Sequence, residues 1–457
     1  MHIIKSYKYS IICFYFIVLC SISGTIFFIN WGTLHHPFKM DVNQYYCYLN
    51  ALFIEHDLMF KVFKNGYWLI ETPTYHFVPK VTYGISFFYS PFYLIAKGLA
   101  TPYSTGYEPI YSWLIHYGCI IYIMIGLWFT RKTLILFCNE IVTAISILFL
   151  FFGTNLFYYT LSESESVHGI LFFLITFYIY HVIKWHQTNS RISFLIFMTT
   201  IGFICLIRPT ECILLLFPFL IGITKLKDFN IKFRNVIQLK WFLFFGFLLF
   251  ILPVLPQVLY WKMQSGHFLF FSYGSSERFF WNDPQIINVY FSFRKGLFIY
   301  TPIMLFSIVG FFVLYKKNKT IFYPVILYFI INSYLISCWW DWSYGGSFGM
   351  RAFVHGFAIL IIPFAYFISW IFSFYKKSII KNVLSFLIAF LCLLFCILNV
   401  LQSNLYKYQI IHFDGMTKEA YAFTFMKKKY TKQELDYLIT LFKSPDYEAR
   451  KKGDRNE

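Results

Sequence analysis

Apolar runs long enough to cross a bilayer as helices, about 17 to 25 residues each, recur along most of the chain. They lie near 11–29, 113–129, 134–153, 167–183, 193–208, 211–224, 241–260, 298–315, 320–338, 352–374 and 383–401. The pattern predicts an all-α polytopic membrane protein with about 11 transmembrane helices, the run at 211–224 being the shortest. The segment 81–100 departs from it, because Pro91, several Tyr and Lys97 suit a helix lying at the interface better than one crossing the hydrocarbon. With that segment uncrossed, the short basic clusters fall on one side: Lys5 and Lys8, Arg131–Lys132, Lys184 and Arg191, the Lys225–Lys240 stretch, Lys316–Lys319 and Lys376–Lys381. The positive-inside rule makes that side cytoplasmic. The other loops then share the outer face: a large first loop, 30–112, carrying interfacial helices, then 153–166, the RPTE corner at 208–211, the 261–297 loop and the opening of WWDWSYGGSFGMR at 339–351. This divides the chain into a membrane body, 1–401, and a polar C-terminal tail, 402–457, which the count places outside.

Composition agrees with a membrane body. Of 457 residues 58% are hydrophobic and 13% charged, which excludes a soluble globular domain. The net charge of +18 does not point to nucleic acid, since the Lys and Arg sit in the loop clusters that the positive-inside rule already explains. The 60 Phe read mostly as lipid-facing filler. Ten Cys are scattered without CxxC or zinc spacing, so neither a disulfide framework nor a structural metal is indicated. The first run lacks a small-x-small cleavage site and reads as an uncleaved span. P-loop and HExxH motifs are absent.

Candidate chemistry collects in the outer loops. Asp41 follows the first span and precedes Tyr45, Tyr46, Leu49, Leu52 and Phe53, an amphipathic run that would hold the carboxylate at the membrane surface. A general base acting on a lipid-linked substrate must sit at that depth, although a solvated loop carboxylate has the same appearance. Glu55, His56 and Asp57 are ligand-type residues, but neighbours on a helix diverge, and a divalent metal is left open. Lys80 in HFVPKVTYG is placed to meet lipid headgroups or a carrier phosphate. Glu163, Glu165 and His168 stand just outside a span, where they serve either as a solvated turn or as contacts to an acceptor or metal. Arg208 precedes Pro209 at a membrane end and needs either Glu211 or an anionic ligand as partner. Arg294 and Lys295 form a basic pair on the outer side, where charge sorting gives no reason for one. In CWWDWSYGGSFGMRAFV the three Trp suit an interface, Gly345, Gly346 and Gly349 permit a tight loop and close backbone approach, Asp341 is a partner for a neighbouring cation, and Arg351 opens the next run.

An Asp in a large first outer loop, an interfacial helix, a Lys-bearing stretch before a second interfacial helix and a long series of spans resemble the GT-C glycosyltransferases, among them protein O-mannosyltransferases and the aminoarabinose transferases of lipid A. VPKVTYG is similar in position to the Lys-Pro-Pro-Leu stretch of the aminoarabinose transferases, with Pro and Lys in another order. WWDWSYGGSFGMRAFV resembles a Trp, Gly-Gly, Ser-Phe-Gly, Arg element of bacterial membrane glycosyltransferases of unassigned substrate. The resemblance covers about residues 1 to 400. It implies transfer of a sugar from a polyprenyl-phosphate donor to an acceptor at the periplasmic face of the bacterial inner membrane. Asp41 would be the base toward the acceptor hydroxyl, and Lys80 would steady the donor phosphate, with Arg208, Arg294, Lys295 and Arg351 as further cations. Glu55, His56, Asp57, Glu163, Glu165, His168, Asp341, Gly345 and Gly346 would line the acceptor or substrate pocket. Val42 follows Asp41, so the Asp-Glu pair of the O-mannosyltransferases is missing and a glycan or lipid acceptor is favoured over protein. A transporter or flippase for a lipid-linked glycan would use the same cations, but along a path across the bilayer rather than at one face.

Overall fold

The computed structural model describes residues 8–28, 40–61, 69–225, 227–228, 240–374, 378–426 and 429–455. Lys5, Lys376 and most of the Lys225–Lys240 stretch lie outside them. The described residues are mostly helical, with one small antiparallel strand pair among them, Leu69–Glu71 on Phe77–Pro79, in register Leu69↔Pro79. It divides into two compact units, the first of residues 1–20, 134–159 and 275–457 and the second of residues 21–133 and 160–274.

Among the described residues five helices are long and apolar enough to cross a membrane: Lys8–Ile26, Pro109–Ile135, Val167–Thr188, Lys319–Cys338 and Ile379–Lys407. A sixth crossing is available if Trp241–Ile251 and Leu255–Ser265, bent by 50° around Pro253, act as one span. The other apolar runs fold as shorter helices. The run expected at 134–153 becomes the 13-residue helix Glu140–Phe152, because Pro109–Ile135 extends into it and Asn139 caps the new start, its side chain accepting from Val142 N at 2.9 Å. The run at 211–224 folds as a 3₁₀ stretch, Pro209–Leu216, followed by the single turn Phe217–Leu220. The run at 298–315 is interrupted at Thr301–Pro302 before the helix Leu305–Lys317 begins. The run at 352–374 yields Phe357–Phe372.

In the first unit Phe357–Phe372 is the central helix, buried from Phe357 through Ile368, as expected of a helix apolar on every side. Leu305–Lys317, Glu140–Phe152 and Lys319–Cys338 pack on it. Gly310 lets Leu305–Lys317 come close, since a Cβ there would overlap the Pro363 carbonyl. Asn399 near the far end of Ile379–Lys407 donates to the carbonyls of Phe152 (3.0 Å) and Thr154 (2.8 Å), and Gln402 to that of Ile299 (3.1 Å). Those carbonyls belong to helix breaks, so the two amides satisfy backbone groups that the broken helices release.

In the second unit Val167–Thr188 packs on Arg191–Ile207, which in turn packs on Lys240–Ile251. Asn189, in the left-handed region at φ 50°, turns the chain between the first two. The two helices expected in the first outer loop are Met40–Phe53 and Gly84–Leu99. They pack on one another, the Ser86 hydroxyl donating to Tyr45 O at 2.5 Å and Tyr93 to Asn50 Oδ1 at 3.0 Å. Met40–Phe53 buries Tyr45 through Ala51 without a break. Its middle is therefore enclosed by protein, where the sequence pattern suggested a one-sided apolar stripe, and Leu52 is exposed.

Candidate functional site

The residues singled out in the sequence divide between the two units. Asp41, Glu55, His56, Asp57, Lys80, Glu163, Glu165, His168 and Arg208 belong to the second. Arg294, Lys295, Asp341, Gly345, Gly346 and Arg351 belong to the first.

In the second unit Asp41 is exposed in the first turn of Met40–Phe53. At the other end of that helix Glu55 and His56 are exposed, and His56 takes a left-handed backbone, φ 51°. Both Asp57 oxygens accept from the following backbone, Met59 N at 2.9 Å and Lys61 N at 2.8 Å. Asp57 thus shapes its own turn, and the three side chains are not brought to one point. Among the described residues no group of three or more His, Cys, Asp and Glu is gathered as a metal site would require.

Lys80 stands in a stretch that knits this unit together. Its carbonyl accepts from the Ser272 hydroxyl (2.5 Å), and the Val81 carbonyl accepts from Tyr48 (2.8 Å). The Thr82 hydroxyl donates to Leu206 O (2.7 Å), two residues before Arg208. Tyr83 N donates to Gln257 (3.0 Å), and its hydroxyl to Pro253 O (2.6 Å). Lys80 and Arg208 are therefore carried on backbone segments joined to each other, and the Lys80 ammonium lies 4.9 Å from the centre of the Tyr273 ring. Glu211 is fully buried in the 3₁₀ stretch after Arg208.

Glu165 has a partner the sequence did not disclose. His116, buried on Pro109–Ile135, places Nδ1 2.7 Å from Glu165 Oε2 and 3.0 Å from the Ser164 hydroxyl, which itself donates to His116 O at 2.8 Å. Tyr89 donates to the Glu165 carbonyl. Glu165 and the buried Ser164 thus tie the 162–166 turn to a neighbouring helix. The only sequence signal for His116 was a lone histidine inside an apolar run.

In the first unit the predicted residues are drawn together around the 338–350 loop. Asp341 is buried and its Oδ1 accepts three hydrogen bonds, from Arg450 Nη1 (2.6 Å), Ser343 Oγ (2.7 Å) and Ser343 N (3.2 Å). Its expected cation partner is therefore Arg450, from the C-terminal segment and 0% exposed. Arg455, also fully buried, donates to the carbonyls of Ser337 (3.2 Å) and Trp339 (2.9 Å) and pairs with Asp283 at 3.0 Å. The segment expected as a polar tail carries three short helices. Thr431 and Glu434 form a capping box at the second, and Asp446 caps the third, which bears Arg450. Its buried arginines were not legible as such in a Lys-rich, acidic stretch.

Arg294 and Lys295 are both buried. Arg294 donates to Asp414 O at 2.5 Å, and the Lys295 ammonium bridges the carbonyls of Ser347 and Phe413. Burial, with Arg351 and Arg294 close by, lowers the Lys295 ammonium to about 7, Asp414 and Asp341 acting in the other direction. Between these anchors the loop turns sharply. Tyr344 (φ 60°), Gly345 (φ 61°) and Gly349 (φ 57°) are left-handed. Gly349 admits no side chain, because a Cβ would lie 2.7 Å from Asn155 Nδ2 and 2.9 Å from Tyr300 Cβ. Gly346 is exposed, so the Tyr344–Gly346 turn is the part of the loop a ligand could reach by backbone. Arg351 begins a short 3₁₀ turn directly after the loop.

No protein-family model matches the chain, and a search of curated proteins finds no match to it.

Proposed function

We propose that the chain is a membrane glycosyltransferase that moves a sugar from a polyprenyl-phosphate carrier to a glycan or lipid acceptor at the periplasmic face of the bacterial inner membrane. In this reading the shorter apolar helices also cross, giving about eleven spans. The acceptor hydroxyl oxygen attacks the anomeric carbon, its proton passing to the exposed Asp41 carboxylate. The bond from that carbon to the carrier phosphate breaks with its electron pair going to the phosphate oxygen. The leaving group is an anion, so fixed cations that compensate its growing charge lower the barrier.

The observation that supports this reading is the collection of Arg294, Lys295 and Arg351 beside a glycine turn in the first unit. A buried lysine held by carbonyls is costly unless an anion is expected there. These cations gather at one end of the unit's helices, whereas a flippase needs charge along a path across the bilayer.

Asp41→Asn is expected to leave the protein in the membrane and to lower sugar transfer by about 10²–10⁴-fold, the usual worth of a general base. The assay supplies membranes with a labelled polyprenyl-phosphate sugar. Full turnover in that variant would remove Asp41 as the base.

A further inference from the structure

We propose that residues 412–414 and 447–455 complete an oxyanion site over the Tyr344–Gly346 turn, that it takes the phosphate of an anionic lipid or phosphate ester, and that Arg450 is its positioning residue. The proposal deepens the function above and rests on it for the identity of the phosphate.

The C-terminal segment holds the loop on both flanks of the turn. On one side Arg455 clasps the carbonyls of Ser337 and Trp339, and Arg450 clasps Asp341 and Ser343, donating to the Ser343 hydroxyl at 2.8 Å. On the other, Ser347 N donates to Phe413 O at 3.1 Å, and Lys295 spans the same two residues. Between these clasps Gly346 is exposed.

Donors then exceed acceptors. Trp340 and Trp342 are buried, at 9% and 1% exposure, and among the described residues neither indole N–H has an acceptor. Buried donors are nearly always satisfied, so two in one loop point to an absent acceptor. The Arg450 guanidinium lies 5.2 Å from the Trp342 ring centre, and Lys451 lies 5.7 Å from that of Trp340, which places both indoles at the seam with the C-terminal segment. The nearby carboxylates are engaged, Asp341 by Arg450 and Ser343, and Asp414 Oδ2 by the Tyr447 hydroxyl. Among the described residues, Asp414 Oδ1 is a buried acceptor without a partner on the other side of the balance. The charges acting on Lys295 include Arg351 and Arg294 of like sign and Asp414 and Asp341 of opposite sign. Indole N–H groups, an ammonium and open backbone at a glycine turn suit an oxyanion with several acceptor oxygens.

The test is equilibrium binding of geranyl phosphate to the full-length protein, with neutral geraniol as control. Arg450→Met is expected to weaken geranyl phosphate about tenfold or more, the scale of a charge-assisted contact. Trp342→Phe, which keeps the ring and removes the N–H, is the milder variant and should cost about fivefold. Arg450→Lys should restore part of the loss, and geraniol binding should not change in any of them. Unchanged geranyl phosphate affinity in both Arg450→Met and Trp342→Phe overturns the proposal. If affinity instead falls only in Lys80→Met or Arg208→Met, the phosphate lies in the other unit, and the inference fails while glycosyl transfer stands. If the expected losses occur but no polyprenyl-phosphate sugar is ever consumed, the anion site stands and the glycosyltransferase reading fails.

Discussion

A lysine with 1% of its surface exposed, its ammonium held by the carbonyls of Ser347 and Phe413, titrates differently from a solvated one. Burial is the main cause and the flanking arginines the next, and Lys295 falls to about 7. The sign follows from linkage. Between that value and the ordinary lysine value the unfolded chain holds a proton that the folded chain lacks, so folding stability gains from Lys295 as pH rises through this window. Below it the full cost of the buried charge is present. Lys295→Met should therefore flatten the rise in melting temperature between about pH 7 and pH 9 relative to the unmutated protein. His412, lowered by burial with Lys295 and Arg294 adding to it and Asp414 opposing, titrates below this range. A bound phosphate would pull Lys295 back up and take in a proton near pH 8. Calorimetry in buffers of different ionisation heat should show that uptake and its loss in Lys295→Met, and equal uptake in both proteins would refute the assignment. At this scale the sequence was informative where a residue type conflicted with its surroundings. Arg294, Lys295 and Asp341 stood out as charges beside apolar runs and are buried. Arg450 and Arg455 lay in polar sequence, where nothing local marks a charge for burial, because the groups that hold them come from 107 to 172 residues earlier.

Among the elements, the apolar runs located helices well and their ends poorly. Hydropathy averages across a break, so Thr301–Pro302 inside one run and Pro253 inside another left the apolar signal intact while dividing or bending the helix. Burial also differs from hydropathy: Phe357–Phe372 is enclosed by protein, whereas most of Ile379–Lys407 is exposed, and both read as apolar runs in the sequence. Glycine placement separates them. Gly310 faces the Pro363 carbonyl without room for a methyl group, so Leu305–Lys317 and Phe357–Phe372 meet by close backbone approach. Gly310→Ala must push these helices apart, and overpacking of this kind costs about 1–3 kcal/mol. Thermal unfolding in detergent should show the loss. Gly98→Ala, at a helical site with open space around it, is the matched control and should be neutral or slightly stabilising. Equal stability of the two variants would mean that the contact at Gly310 relaxes freely.

For the whole molecule, charge sorting placed the basic turn at Lys316–Lys319 and the glycine loop on opposite faces, and placed the C-terminal segment with the loop. The first unit gives these placements a physical basis that can be tested without knowing the reaction. Lys319–Cys338 is 20 residues of continuous helix, about 30 Å long, with the lysines at its start and the loop at its end. Arg450 reaches Asp341 and Arg455 reaches Trp339 O, so the C-terminal segment and the loop must share a face. With Cys212, an exposed native thiol, replaced, single cysteines at the exposed positions Lys317, Gly346 and Lys452 can be probed with an impermeant maleimide. Positions 346 and 452 should label together from the outer side, and position 317 only after permeabilisation. Labelling of 346 and 452 from opposite sides would be incompatible with the Arg450–Asp341 pair and would dissolve the oxyanion site with it. Labelling of 317 and 346 from the same side would instead mean that Lys319–Cys338 does not cross, and the one-faced placement of the cations would lose its topological support.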